Sequence, residues 1–223
     1  MESFSYSISH DLKTPLRNII SLSQILQKNL KGKLDEKNQL LLGDIFSSAD
    51  KMSLLVESLL NLSKMGYKQI KSEEAPIREY AESIVEQLKN QYKGKEFDIQ
   101  VDLPEKIFAD KTLIFQVFQN IIDNAFKYAS MKKKINVRIR HKLSDGHYTI
   151  TISDNGVGFD GAYVQRMFEP FRRLHGNDEF PGIGVGLAIT KKIIEKHGGS
   201  IRASSPEGKG TEIEFTIPQE IQT

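Results

Sequence analysis

The residues with the most chemistry to offer stand near the start of the chain. His10 is followed directly by Asp11, and Thr14 lies four positions beyond the histidine. A neutral imidazole is a good nucleophile near pH 7. A neighbouring carboxylate can accept its Nδ1 proton, fix the tautomer and leave Nε2 free to attack. The pair therefore suits a phosphoryl-accepting histidine, although an isolated His-Asp dipeptide is more often an ordinary solvated surface pair. A second group is Asn120, Asn124 and Lys127, at i, i+4 and i+7, which share one stripe of a helix. Carboxamide oxygens suit a hard cation such as Mg2+ without adding charge, and a lysine suits phosphate. Two glycine-rich stretches follow. Asp154-Asn155-Gly156-Val157-Gly158 closes a strand, and Gly182-Ile183-Gly184-Val185-Gly186-Leu187 opens a helix. Glycine-rich backbone at a helix N-terminus is a phosphate-binding arrangement. Gly156, Gly158 and Gly161 also fit the G-x-G-x-x-G spacing of a dinucleotide-binding loop. The context opposes that reading, because an antiparallel hairpin precedes it and no parallel strand ending in an acid follows about 20 residues on.

The elements that must position these groups are legible in the apolar pattern. Phe4, Ile8, Leu12, Leu16, Ile19, Leu22, Leu26 and Leu30 recur in steps of three and four, a helical stripe. His10 faces away from that stripe, with Thr14 one turn above it. Pro15 cannot donate to the carbonyl of Asp11, so a bend or loosening is expected there. Gly32 suits a turn. A second stripe follows at Leu34, Leu41, Ile45, Ala49, Met52, Leu55, Leu59 and Leu62. Two such helices carry more apolar surface than a single hairpin can hide, so a four-helix bundle built by a homodimer through residues 1–66 is expected.

Residues 67–75 lose the periodicity and read as a linker between Gly66 and Pro76. Residues 76–223 read as an α/β domain. A helix is expected over 77–92, a strand over 97–103, a short extended piece over 106–110 and a helix over 111–129. A hairpin over 135–141 and 147–153 turns at Ser144-Asp145-Gly146. A helix begins in the second glycine-rich stretch, and two strands, 200–204 and 211–217, finish the domain. Residues 174–181 are polar and irregular, the composition of a mobile lid. His197, beside Gly198 and Gly199, reads as helix-capping and structural. His141, His147 and His175 lack ligand-like spacing.

With 223 residues, 39% hydrophobic and 27% charged, the chain can bury one or two cores. A net charge of +2 gives no electrostatic case for nucleic acid. The absence of cysteine excludes disulfides and thiolate metal sites. No apolar run approaches the ~20 residues of a membrane span, and a cytoplasmic location is expected. A nucleophile so near Met1 leads us to expect a catalytic fragment with its sensory domain upstream.

Taken together, these stretches resemble the sensor histidine kinases of two-component systems. Ser9-His10-Asp11-Leu12-Lys13-Thr14-Pro15-Leu16 is similar to the H-box of the HisKA-type dimerisation domain. Asn120-Ile121-Ile122-Asp123-Asn124-Ala125-Phe126-Lys127-Tyr128 resembles the N-box, and Asp154-x-Gly156-x-Gly158 the G1 box. Met167-Phe168-Glu169-Pro170-Phe171-Arg172-Arg173 resembles the F-box, and Gly182–Leu187 the G2 box. Residues 172–182 look particularly like the phytochrome-associated kinases. The resemblance covers essentially the whole chain. It implies a Bergerat-type ATP-binding α/β sandwich after the helical hairpin, with ATP and Mg2+ as cofactors. It implies His10 as acceptor assisted by Asp11, and Asn124 with Asn120 on Mg2+. Lys127, Arg173 and the Gly182, Gly184 and Gly186 backbone would hold phosphates, with Leu187 beside them. Tyr128 would line the nucleotide, and Asp154 would accept from the adenine amino group beside Gly156 and Gly158. It implies a response-regulator receiver as partner, and a role for Thr14 in dephosphorylating that regulator. The rival readings are a non-catalytic dimeric scaffold, an ATPase of the same fold, and a protein serine kinase, which leaves the His10 hairpin unexplained.

Overall fold

The computed structural model describes residues 2–65, 70–161, 164, 166–172, 180, 182–205 and 210–219; the side chains of 2–11, 58, 59 and 61–65 are outside that description. The chain forms two compact units, Met1–Lys68 and Gln69–Thr223.

The first unit is a helical hairpin of α1 (Glu2–Asn29) and α2 (Glu36–Met65). Gly32, with φ near +76°, turns the chain between them. Asp35 caps α2, its Oδ1 accepting the Asn38 N–H at 2.8 Å. The helix α1 runs through Pro15 unbroken. Proline removes only one main-chain donor there, and the helix continues past it. Leu16, Ser23, Ala49, Val56 and Leu60 are buried. Lys13 and Glu57 approach to 3.7 Å across the hairpin, a half-exposed pair worth about 0.5 kcal/mol or less. Much apolar surface stays uncovered: Leu22 is 60% and Leu40 71% exposed, and Ile25, Leu41, Ile45 and Met52 are also exposed.

The second unit holds a five-stranded sheet in the order β2-β4-β5-β7-β6 and a separate two-stranded sheet of β1 and β3. The strands are β1 (Glu73–Ala75), β2 (Glu96–Val101), β3 (Ile107–Ala109), β4 (Lys134–Ser144), β5 (His147–Asp154), β6 (Ile201–Ser204) and β7 (Glu212–Pro218). In the larger sheet β2 lies parallel to β4 and the remaining pairs are antiparallel. Asp145 and Gly146, both at positive φ, make the β4–β5 turn. The strands alternate. Ile135, Val137 and Ile139, Ile150 and Ile152, and Ile213, Phe215 and Ile217 are buried on one face. Arg140, Thr151, Glu214 and Arg202 run across the other.

The helices α3 (Ile77–Gln91), α4 (Lys111–Ala129) and α5 (Gly186–Lys196) cover the apolar face. Phe118 of α4 is fully buried, its ring edge-on to Phe215 at 5.9 Å. That burial stabilises by about 2–3 kcal/mol. One expectation changes here. Glu73–Ala75, read as linker, form β1 and pair antiparallel with β3, register Glu74 to Phe108. A three-residue strand carries no periodicity of its own; it exists because β3 offers an edge.

His197 pins two helices to each other. It is 1% exposed. Its Nδ1 donates to the Ile193 carbonyl at 2.8 Å, and its Nε2 accepts the Asp110 N–H at 3.1 Å. Asp110 in turn caps α4, with Oδ1 accepting the Leu113 N–H at 3.1 Å. Both ring nitrogens are therefore committed, and the ring must be neutral. Burial pushes its pKa down, against the Ile193 carbonyl and Asp110. The folded state thus binds fewer protons than the unfolded chain once pH drops below the ordinary histidine value of 6.5. This contribution to stability is complete above that pH and is lost as pH falls through the depressed folded value. Thermal melts of the native chain and His197→Ala from pH 7.5 to pH 5 check it. The variant is expected to lose about 2 kcal/mol at neutral pH, with the gap narrowing on acidification. A gap constant with pH would refute the assignment.

Candidate functional site

The strand β5 ends at Asp154, half-buried beside the last turn of α4. Its Oδ1 accepts the Gly156 N–H at 2.7 Å and the Thr211 N–H at 3.3 Å, and its own N–H donates to the Thr211 carbonyl at 2.9 Å. Oδ2 takes no hydrogen bond from any described residue. It is the atom left to receive a donor from a ligand. Withdrawal from water pushes the carboxyl up to about 6, opposed by the two backbone donors, so it is ionised at neutral pH. Asn155 fixes the loop start by donating to the Lys134 carbonyl and accepting the Asn136 N–H, both at 2.9 Å. At Gly156 the backbone passes so near α4 that a Cβ would lie 2.7 Å from the Tyr128 carbonyl carbon. Only glycine permits that approach.

The polar stripe of α4 faces the second glycine-rich stretch. The Nδ2 of Asn120 donates to the Gly186 carbonyl at 3.2 Å and to Thr190 Oγ1 at 3.4 Å. Asn124, one turn on, is half-buried. The Lys127 ammonium lies 4.6 Å from the Tyr128 ring centroid, and 3.6 Å from where a Cβ on Gly182 would stand. The Tyr128 ring meets Phe180 at 5.0 Å. Gly184 accepts the Phe171 N–H at 2.9 Å, which ties the stretch before residue 173 to the start of α5. Leu187 stands half-buried in the first turn of α5. One site thus gathers Asn120, Asn124, Lys127, Tyr128, Gly182 and Gly186 beside the loop of Asp154, Gly156 and Gly158.

His10, Asp11 and Thr14 belong to α1 in the first unit. The side chains of His10 and Asp11 are outside the described set, and Thr14 is exposed. Arg173 and most of 174–181 also lie outside the described residues.

The donor set can be tested against Mg2+. Among the described residues no cluster of three His, Cys, Asp or Glu exists. With Nδ2 of Asn120 committed, its Oδ1 remains as a neutral donor, and Asn124 supplies another on the same stripe. Mg2+ takes few protein oxygens and completes its shell with phosphate and water, so the residues fit it.

Sequence reasoning passed over Thr211, whose backbone pairs with Asp154, and Thr190, Phe180 and Ser205. Each meets the site through a residue far away in the chain, Thr211 through Asp154, Thr190 through Asn120, Phe180 through Tyr128 and Ser205 through Phe159, so no local pattern exposes them. The one usable signal was Gly210-Thr211 after a glycine-rich turn.

Comparison with known proteins bears on the family. Residues 1–68 match the His Kinase A (phospho-acceptor) domain. Residues 109–221 match the histidine kinase-, DNA gyrase B-, and HSP90-like ATPase family. The chain belongs to the sensor histidine kinases. The chain is 31% identical over 218 residues to the phytochrome-like protein Cph1 of Synechocystis, covering 98% of the chain and 29% of Cph1. It is 33% identical over 225 residues to the sensor protein kinase WalK of Staphylococcus aureus, covering 98% of the chain and 54% of that protein. The chain therefore spans about a third to a half of these relatives. The full-length ShkA structure, solved in complex with AMPPNP, shares the fold, with a TM-score of 0.70 at 23% identity, over 100% of this chain and 47% of that one. The likeness to phytochrome kinases agrees with the resemblance in residues 172–182.

Proposed function

We propose that this histidine kinase phosphorylates its own His10 from ATP and passes the phosphoryl group to an aspartate of a response-regulator receiver domain. The observation that carries this reading is the state of Asn120. Hydrolysing relatives of the same fold place a glutamate base at this position. Here an amide stands there, with its NH2 held by Gly186 and Thr190. An amide cannot deprotonate water. The phosphoryl group is thus kept for a protein nucleophile.

In this reading Asp154 Oδ2 accepts from the adenine amino group, and Lys127 with the Gly182–Gly186 backbone holds the phosphates. Asn120 and Asn124 would hold Mg2+, which would neutralise phosphate charge. His10 Nε2 forms the new bond to the γ-phosphorus. The bond to the bridging oxygen breaks, and ADP leaves with that electron pair. Asp11 keeps the proton on Nδ1. Phosphohistidine then donates to the regulator, and Thr14 orients a water when the regulator is dephosphorylated. Arg173 adds charge at the phosphates. The exposed apolar stripe of α1 and α2 supports a homodimer through residues 1–66. Use of ATP supports a cytoplasmic location, and the longer relatives support an upstream sensory domain.

The test is incubation with Mg2+ and γ-labelled ATP, followed by acid and alkali. Acid-labile, alkali-stable label is expected. Nucleotide binding with no label would favour a scaffold, and alkali-labile, acid-stable label would favour a serine kinase.

A further inference from the structure

Two loops converge on Asp154, and one hydroxyl joins them. The first loop follows β5 and brings the Gly156 N–H. The second connects β6 to β7 and brings the Thr211 N–H. Ser205 stands just after β6. Its Oγ accepts the Phe159 N–H at 2.8 Å and donates to the Gly210 carbonyl at 2.7 Å. Phe159 belongs to the first loop, and Gly210 immediately precedes Thr211. Gly158, at φ +68°, makes room for the hydroxyl: a Cβ there would lie 2.6 Å from Ser205 Oγ. Gly158 and Gly210 are buried, so water has poor access to replace the bonds.

We propose that Ser205 is a positioning residue of the base site, holding the two loops at the separation that lets both backbone donors reach Asp154 Oδ1. The proposal rests on the reading of Asp154 as the adenine acceptor. Of the two donors, the Thr211 N–H is the longer at 3.3 Å. It is the one a small rotation of the second loop would lose, even with the bond from the Asp154 N–H to the Thr211 carbonyl kept at 2.9 Å. A carboxylate deprived of a backbone donor is harder to ionise, and a displaced Oδ2 no longer meets the base. Ser205 touches neither the base nor the phosphates in this role. It acts through the two loops alone.

The experiment compares the native chain with Ser205→Ala and Ser205→Thr. ADP affinity is read by calorimetry at pH 7.5 and pH 6, and the Asp154 carboxyl is titrated by NMR in the nucleotide-free chain. Ser205→Ala is expected to bind ADP about tenfold more weakly at pH 7.5, with a larger deficit at pH 6. Its Asp154 midpoint is expected to rise. Ser205→Thr, which keeps the hydroxyl, is expected to restore both. An unchanged Asp154 midpoint in Ser205→Ala, or equal losses in the alanine and threonine variants, would overturn the proposal. Should the alanine variant not fold, threonine behaving as the native chain against Ser205→Cys decides the matter, because the thiol is a poor donor and acceptor. Should the native chain bind no ADP, the failure lies with the assigned function; the carboxyl titration, which needs no nucleotide, still decides the role of Ser205.

Discussion

His10→Gln is expected to reduce labelling from γ-labelled ATP to background, a fall of about a thousandfold or more, while ADP affinity stays as in the native chain. Glutamine keeps a polar side chain of similar reach but offers an amide nitrogen, whose lone pair is delocalised and does not attack phosphorus. Asp11, which in this reading holds the imidazole Nδ1 proton, has no ring nitrogen to orient in the variant. The substitution lies in α1, and the residues assigned to base and phosphates belong to the other compact unit. Binding and labelling should therefore separate cleanly. A drop in ADP affinity alongside the label would mean the substitution has damaged the fold. Undiminished label in a folded variant would place the nucleophile elsewhere.

The second large effect is expected at Asp154. In Asp154→Asn the amide oxygen takes the Oδ1 place, since two backbone N–H groups point at it. The NH2 then occupies the Oδ2 place and faces the base. Adenine presents an amino group there, so donor meets donor. ATP affinity is expected to fall by at least about a hundredfold. A 6-oxo purine such as ITP presents an acceptor and is expected to lose far less, or to gain. The loop should keep its shape, because both backbone donors still have an acceptor. Calorimetry with ATP and ITP on both chains checks this, and equal ATP affinity would remove Asp154 from the base site. The pH profile gives a companion readout. The native carboxyl, pushed up to about 6, takes a proton as pH falls through that value, and ATP affinity is expected to fall with it. The asparagine variant has no such component.

How far the sequence carries differs between elements for physical reasons. The apolar period of α4 places its ends at Lys111 and Ala129, where the structure has them, because nine buried residues on one face leave little freedom. The hairpin of β4 and β5 is equally legible, because Asp145-Gly146 demands positive φ and the flanking residues alternate. Asp110 precedes α4 as a capping residue and could have been read as one. Its tie to His197 spans 87 positions and could not. The same holds for Ser205 and Thr211, whose bonds to the Asp154 loop depend on how β6 and β7 close the sheet. The polar stripe of α4 is visible in the sequence as Asn120, Asn124 and Lys127. That the amide of Asn120 is spent on α5 is visible only once the helices are packed.

The unbroken course of α1 through Pro15 has a mechanical side. A helix resists bending through its ladder of main-chain bonds, and this ladder lacks one rung, the one that would join the Asp11 carbonyl to position 15. A rod with a single soft point concentrates any applied bend at that point. The softest place along α1 thus begins one residue after His10, so a strain entering anywhere along the helix would be felt first beside the residue proposed to accept the phosphoryl group.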